Sequence, residues 1–307
     1  MITDLTKLHN DWTNLKLDQT CNEIYHYTSK PGLDGILSNH YLRAGNIYKQ
    51  NDMSEVIYTL SLLQNNIDKF TNNTDFKKSI INACEEAEKT ISKNTYIHNK
   101  YNIYIISFST ERDELALWNY YTKDINNIGY NIGFNLNDFT SNPIKVDSKK
   151  YNEDNSISHY YKNINFYHGK VIYDPNKQLQ VLKHIVNAFE NLYTPYNKDD
   201  CGYLLVDKVI YQGVFLKNPY FKHEYEYRFA FYTSTTANYP ELNDIPFEYT
   251  IGQKSFINIY YNTNSVRNVT CSPTNSNKDI NYPKKYIYRD FYNFNEIQKS
   301  NIPFRNI

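Results

Sequence analysis

No stretch of this chain is apolar for long enough to cross a membrane as a helix. The longest runs, such as 103–108, fall far short of the ~18 residues required, and the polar amino terminus does not read as a signal peptide. An excess of charge is missing too: 33 Lys and Arg are matched by 33 Asp and Glu. No global positive field therefore draws the protein onto nucleic acid or an anionic membrane, although a local basic patch is compatible with this balance. Cysteines are few and scattered (Cys21, Cys84, Cys201, Cys271). Without short paired spacings they form neither a disulfide framework nor a zinc site, and they read as packing or surface residues. Glycine is scarce, at 9 residues, and no low-complexity linker or internal repeat divides the chain. The expectation is a soluble, cytoplasmic protein that does not engage a membrane. Its 307 residues suffice for one full core.

Tyrosine is abundant, with 32 copies. Together with frequent Asn, Lys and Ile, this suggests the codon bias of an AT-rich genome, so one tyrosine near a candidate site carries little weight. Residues 1–20 read as a polar helical segment, and 21–307 as one domain with a helical insertion at about 55–95. A short strand around 24–28 leads into a helix for which Ser29 is the N-cap and Pro31 lies in the first turn, and the next strand starts near Tyr41. Two helices follow between Glu55 and Ser92, with Ile57, Leu60, Leu63 and Ile67 at helical spacing in the first and a break near 71–75. Residues 101–108 read as a buried strand, 115–121 as a short helix and 129–134 as a strand. The polar stretch 141–165 reads as a loop, 170–173 as a strand and 178–192 as a helix. Further strands are expected at 203–211, 225–232 and 256–261. Few helical crossovers separate the strands, so they must pair mostly antiparallel: the fold class is α+β, a mostly antiparallel split sheet with flanking helices.

Two blocks carry candidate chemistry. On the first strand His26 and Thr28 share one face while Tyr25 and Tyr27 share the other, which aims a polar pair at one spot. Arg43 on the following strand offers a guanidinium that can hold two phosphate oxygens. On a later strand Glu224, Glu226 and Arg228 fall on one face. Two neighbouring carboxylates raise each other's proton affinity while the arginine favours their charged forms, which suits one of them to stand beside developing positive charge. The alternative is a solvent-facing strand edge with a salt bridge. Trp118, with Tyr120 and Tyr121, offers aromatic faces to a flat cationic ring, with core packing as the alternative for the tryptophan.

These blocks, with Asn51-Asp52 and Glu55, Ile106-Ser107-Phe108-Ser109, Leu117-Trp118 with Tyr121, Gly129 with Ile132-Gly133-Phe134, and Ser300-Asn301-Ile302-Pro303-Phe304-Arg305, resemble the bacterial family called domain of unknown function 2971. The opening block is more distantly similar to the first element of ADP-ribosyltransferases. That resemblance implies an ADP-ribosyltransferase-like fold and NAD as a substrate, with no metal. His26, Tyr27 and Thr28 would then lie at the NAD site, Trp118 and Tyr121 near the nicotinamide, Arg43 at the pyrophosphate, and Glu226 at the nicotinamide ribose. Glu224 would be an accessory carboxylate and Arg228 a neighbour of the bound dinucleotide.

The expected function is cleavage of the nicotinamide–ribose bond of NAD and transfer of ADP-ribose to a nucleic acid or protein, as in a toxin or phage-defence effector with a neutralising or regulatory partner. An NAD glycohydrolase is the same chemistry with water as acceptor. A catalytically silent ligand- or partner-binding module, with the glutamates as a structural ion pair, is the alternative from another class.

Overall fold

The computed structural model describes residues 4–5, 7, 15–49, 54–92, 101–121, 128–151, 157–234, 245–246, 248–252, 254–289, 292 and 296–303. Most of the expected amino-terminal helix lies outside this set; 4, 5 and 7 are helical, and 15–22 contain no helix. Strand β1 (Glu23–Ser29) runs into helix α1 (Lys30–Asn39), whose first turn is closed by the Ser29 hydroxyl accepting from the Gly32 N–H. His40 ends the helix in the left-handed region, φ 58°, and β2 (Tyr41–Asn46) follows directly. Helices α2 (Ser54–Asn66) and α3 (Thr74–Ser92) are separated by a 3-10 turn, close to the expected break. Next come β3 (Tyr101–Ser109), α4 (Leu115–Tyr121), β4 (Gly129–Asn135) and the short α5 (Leu136–Thr140).

Three expectations are overturned in the middle of the chain. The stretch 141–165, expected as a loop, contains a paired hairpin of β5 (Lys145–Tyr151) and β6 (Ile157–Asn163). β6 ends the sheet and residues 158–163 are mostly exposed, so an edge strand here has the composition of a loop. Residues 203–211, expected as a strand, belong to helix α7 (Lys198–Gly213), which follows β7 (Phe166–Lys170) and α6 (Pro175–Glu190). From Leu205 to Gly213 every residue of α7 is buried, Asp207, Lys208 and Gln212 included, so this part of the helix has no solvent-facing side and its sequence loses the helical period. The strand expected at 170–173 instead ends at Lys170.

The remaining elements are β8 (Glu226–Ser234), β9 (Ile245–Pro246), β10 (Tyr249–Ile251), β11 (Lys254–Tyr260), β12 (Val266–Cys271), α8 (Asn277–Asn281), α9 (Lys284–Arg289) and β13 (Glu296–Lys299). The strand order β13-β12-β4-β1-β3-β2-β11-β5-β6 is antiparallel except between β12 and β13. The α+β class and the antiparallel pairing are as expected.

The sheet is split at β3. Along one edge β3 pairs with β8 over its full length, Tyr101↔Ser234 to Ser109↔Glu226. On the other edge β1 touches only its end, Tyr25↔Ser109, and β2 only its middle, Gly45↔Ile105 and Asn46↔Tyr104. Residues Ile106–Phe108 therefore pair with β8 but with neither β1 nor β2, and the two half-sheets part there. One core, centred on Phe134, Phe139 and Phe229, fills the sheet layer. A second packs α2, α3, α6 and α7 together. Among the described residues no helix is long and apolar enough to cross a membrane.

Candidate functional site

A cavity of about 670 Å³ opens over the split. The bare edge of β3 forms its floor, and β1, β2, α2, the end of α7, β8 and β11 supply its walls. Of the residues singled out in the sequence, His26, Tyr27, Arg43, Tyr121, Glu224, Glu226 and Arg228 line it. Thr28 and Trp118 do not. Thr28 is buried against Gly32, where a Cβ would meet its Oγ1 at 1.9 Å. Trp118 packs edge-on against Tyr27 with centroids 4.7 Å apart and donates to Asp113 Oδ1 at 2.8 Å. The Tyr27 hydroxyl is itself engaged, donating to the Glu111 carbonyl at 2.9 Å and accepting from the Glu114 N–H at 3.0 Å.

His26 occupies the split. Its Nδ1 lies 3.1 Å from the Ser107 carbonyl, which has no strand partner on that side. A carbonyl only accepts, so Nδ1 carries the proton. Burial lowers the His26 pKa against the opposing pull of this bond, so the ring is neutral at physiological pH and Nε2 presents a lone pair.

Opposite His26 stand five ionisable side chains. Glu224 does not lie on the strand as expected: it ends a 3-10 turn (Pro219–Glu224), and Tyr225 follows in the left-handed region at φ 47° before β8 begins at Glu226. The corner is fixed by Ser109 Oγ donating to the Glu224 carbonyl at 2.8 Å and Thr110 N–H to that of Tyr225 at 2.9 Å. Nor is the group a solvent-facing edge, since β8 lies between β3 and β7 and Glu224, Glu226 and Arg228 are all buried. Arg228 grips Glu226 with Nε at 2.7 Å and Nη2 at 2.8 Å, reaches Glu55 with Nη1 at 2.9 Å and also donates to the Val214 carbonyl. The Lys217 ammonium touches all three carboxylates: Glu224 at 2.5 Å, Glu226 at 3.0 Å and Glu55 at 3.1 Å. Tyr121 donates to Glu224 at 3.4 Å, and Tyr173 accepts the Glu226 N–H at 3.2 Å.

Burial by itself would raise the Glu226 carboxyl. The Arg228 and Lys217 charges outweigh it and hold the group down at about 2. Burial works against the Lys217 ammonium as well, yet Glu226 and Glu55 push its pKa above the usual lysine range. Three carboxylates against two cations leave this wall one formal negative charge. Positive charge lies elsewhere, on Arg43 and Lys254 of β2 and β11. The exposed Arg43 guanidinium sits 4.6 Å from the Phe256 ring. β2 carries Arg43 on the side of the split away from β8, so the basic residues and the carboxylate wall line the same cavity from different strands.

Glu55 and Lys217 were not among the residues expected at the site. Glu55 had a signal, the Asn51-Asp52 block in which it stands. Lys217 had none, because nothing local distinguishes it among 33 basic residues. No group of three or more His, Cys, Asp or Glu side chains suited to a metal ion occurs among the described residues.

Residues 117–229 match the model of a family described as Protein of unknown function (DUF2971). The matched stretch holds Trp118, Tyr121 and the Glu224–Arg228 block; the opening 25–29 block and the 300–305 tail lie outside it. No curated protein and no solved structure matches the chain.

Proposed function

We propose that the protein is an ADP-ribosyltransferase-like enzyme that binds NAD in the split of the sheet, breaks the nicotinamide–ribose bond and passes ADP-ribose to a macromolecular acceptor. The observation that carries this reading is the arrangement around one cavity: a neutral His26 whose Nε2 accepts, a carboxylate wall with one net formal negative charge in which Glu226 is held ionised, and Arg43 with Lys254 on other strands of the lining. A ligand with a cationic ring at one end and phosphates toward the other is complementary to this layout. The sheet, split with a histidine in the gap, supports the corresponding fold.

In this reading His26 Nε2 accepts a hydrogen bond from a ribose hydroxyl. Bond cleavage gives the ribose oxocarbenium character, and the carboxylate wall stabilises a charge that is largest in the transition state. Arg43 and Lys254 hold the pyrophosphate. Arg228 and Lys217 keep Glu226 ionised and fixed.

Nicotinamide release from labelled NAD tests the proposal. Glu226→Gln is expected to melt cooperatively and to lose release by at least about a hundredfold, the scale of removing one preorganised electrostatic group; undiminished release overturns the assignment. One observation favours a silent binding module instead, because both Glu226 oxygens are already bonded to Arg228 or Lys217. Calorimetric NAD binding with no nicotinamide release would select that reading.

A further inference from the structure

Exposed aromatic side chains gather at the mouth of the cavity. Nine large hydrophobic residues are exposed among those described, and six of them, Leu115, Tyr120, Tyr121, Tyr220, Phe221 and Tyr225, lie on α4, on the 3-10 turn that leads to Glu226 or directly after that turn. Tyr121 and Phe221 also line the cavity. Tyrosine abundance does not account for this, because most tyrosines of the described residues are partly or fully buried and the exposed ones concentrate here. An exposed apolar patch that borders a cavity marks a contact surface.

The chemistry of the patch identifies its occupant. Five of the six side chains are flat rings, and α4 (LALWNYY) carries no charge. On the 3-10 turn (PYFKHE) Lys222 is exposed, whereas the carboxylate Glu224 is buried. His223 lies beside Tyr120 with ring centroids 5.9 Å apart. Exposed rings beside the exposed Lys222, with no exposed carboxylate on these two elements, suit unpaired bases on a phosphate strand: each base stacks on a ring, and Lys222 meets the backbone.

We propose that this aromatic rim is a docking surface for single-stranded nucleic acid and that it presents a base to the cavity. The acceptor class so assigned rests on the NAD reading; binding of the strand does not. In the transfer, the C1′–nitrogen bond to nicotinamide breaks with its electron pair leaving on nicotinamide. A lone pair of the base forms the new bond to C1′, and the proton displaced from the base passes to solvent.

The test is fluorescence anisotropy with labelled strands of about 12 nucleotides, within the usual range of single-strand sites. A mixed-sequence strand is expected to bind, and an abasic strand and the matching duplex to bind about tenfold or more weakly. Tyr120→Ala and Tyr220→Ala should each weaken binding on the order of tenfold without lowering the melting temperature, and Tyr120→Phe, which keeps the ring, should retain it. No binding of the mixed strand, equal binding of the abasic strand, or indifference to both alanine variants overturns the proposal. Because the readout is binding, it fails or succeeds independently of nicotinamide release.

Discussion

Lys217 is the side chain on which the carboxylate wall depends most directly. Its single ammonium lies within 3.1 Å of Glu55, Glu224 and Glu226, and without it Arg228 alone would face three carboxylates. Breaking a buried ion network by removing one partner costs about 3–5 kcal/mol, because the charges left behind stay desolvated. Lys217→Met is therefore expected to lose about 3 kcal/mol in urea denaturation at pH 7. With the ammonium gone, the carboxylates take up protons more readily, and protonation relieves their repulsion. The deficit should thus shrink as pH is lowered from 7 toward 4. A deficit that stays constant with pH would mean that Lys217 acts through packing and not through charge.

Among the elements, α7 decides where Lys217 stands, since the chain leaves its end at Gly213 and reaches Lys217 through a tight turn at Val214–Leu216. The helix can be this deeply buried because it approaches its neighbours closely at two glycines. A Cβ at Gly202 would lie 2.7 Å from the Ser79 carbonyl oxygen of α3, and one at Gly213 2.7 Å from Thr59 Cγ2 of α2. The Ser79 contact is with backbone, which cannot rotate away. Gly202→Ala is expected to push α7 from α3 and to lower stability by about 1–3 kcal/mol in thermal or urea unfolding. An unchanged midpoint would show that the two helices separate without cost. The Ser29 cap and Pro31 of α1 were legible in the sequence because a helix start is a local chemical event. The helical identity of α7 was not, because burial on all sides erases the period that distinguishes helix from strand. The hairpin of β5 and β6 was missed for the converse reason: β6 lies at the edge of the sheet, and its exposed side chains look like those of a loop.

At the scale of the whole molecule, acid stability follows from groups that folding moves in a known direction. Burial lowers the His168 pKa from the ordinary histidine value of 6.5 to about 4; its ring is stacked 4.9 Å from Phe229 and bonded to the Tyr227 hydroxyl at 2.7 Å. Between those two values the unfolded chain binds a proton that the fold refuses, so stability falls as pH drops from 6.5 to 4. His26 adds to the same trend. Glu226 then takes over. Its lowered pKa contributes stability that is complete above the unfolded value near 4.5 and is lost as pH falls toward about 2. The melting temperature should be nearly level around pH 7 to 8, decline in two overlapping stages below that, and fall again at alkaline pH, where the unfolded chain releases thiol and phenol protons that burial holds in the fold. His168→Phe should flatten the upper stage while lowering the curve through loss of the Tyr227 bond. An unaltered slope between pH 6.5 and 4 in that variant would assign the upper stage to other groups.

The sequence by itself determined what depends on neighbours along the chain: the alternation that sets His26 on one face of β1, the capped helix after it, the start of β2 before Arg43, and the Glu-x-Glu-x-Arg block with its charges. Local sterics, hydrogen-bond chemistry and periodicity act over a few residues, so these features were legible there. Tertiary structure alone decided what depends on distant encounters. It parted β1 and β2 along β3, put His26 against the Ser107 carbonyl 81 positions away, and drew Lys217 and Glu55 onto the two expected glutamates. The reason is physical. A buried carboxylate must find its counter-charges in space, and those counter-charges come from whichever elements the packing of two cores brings to the same wall.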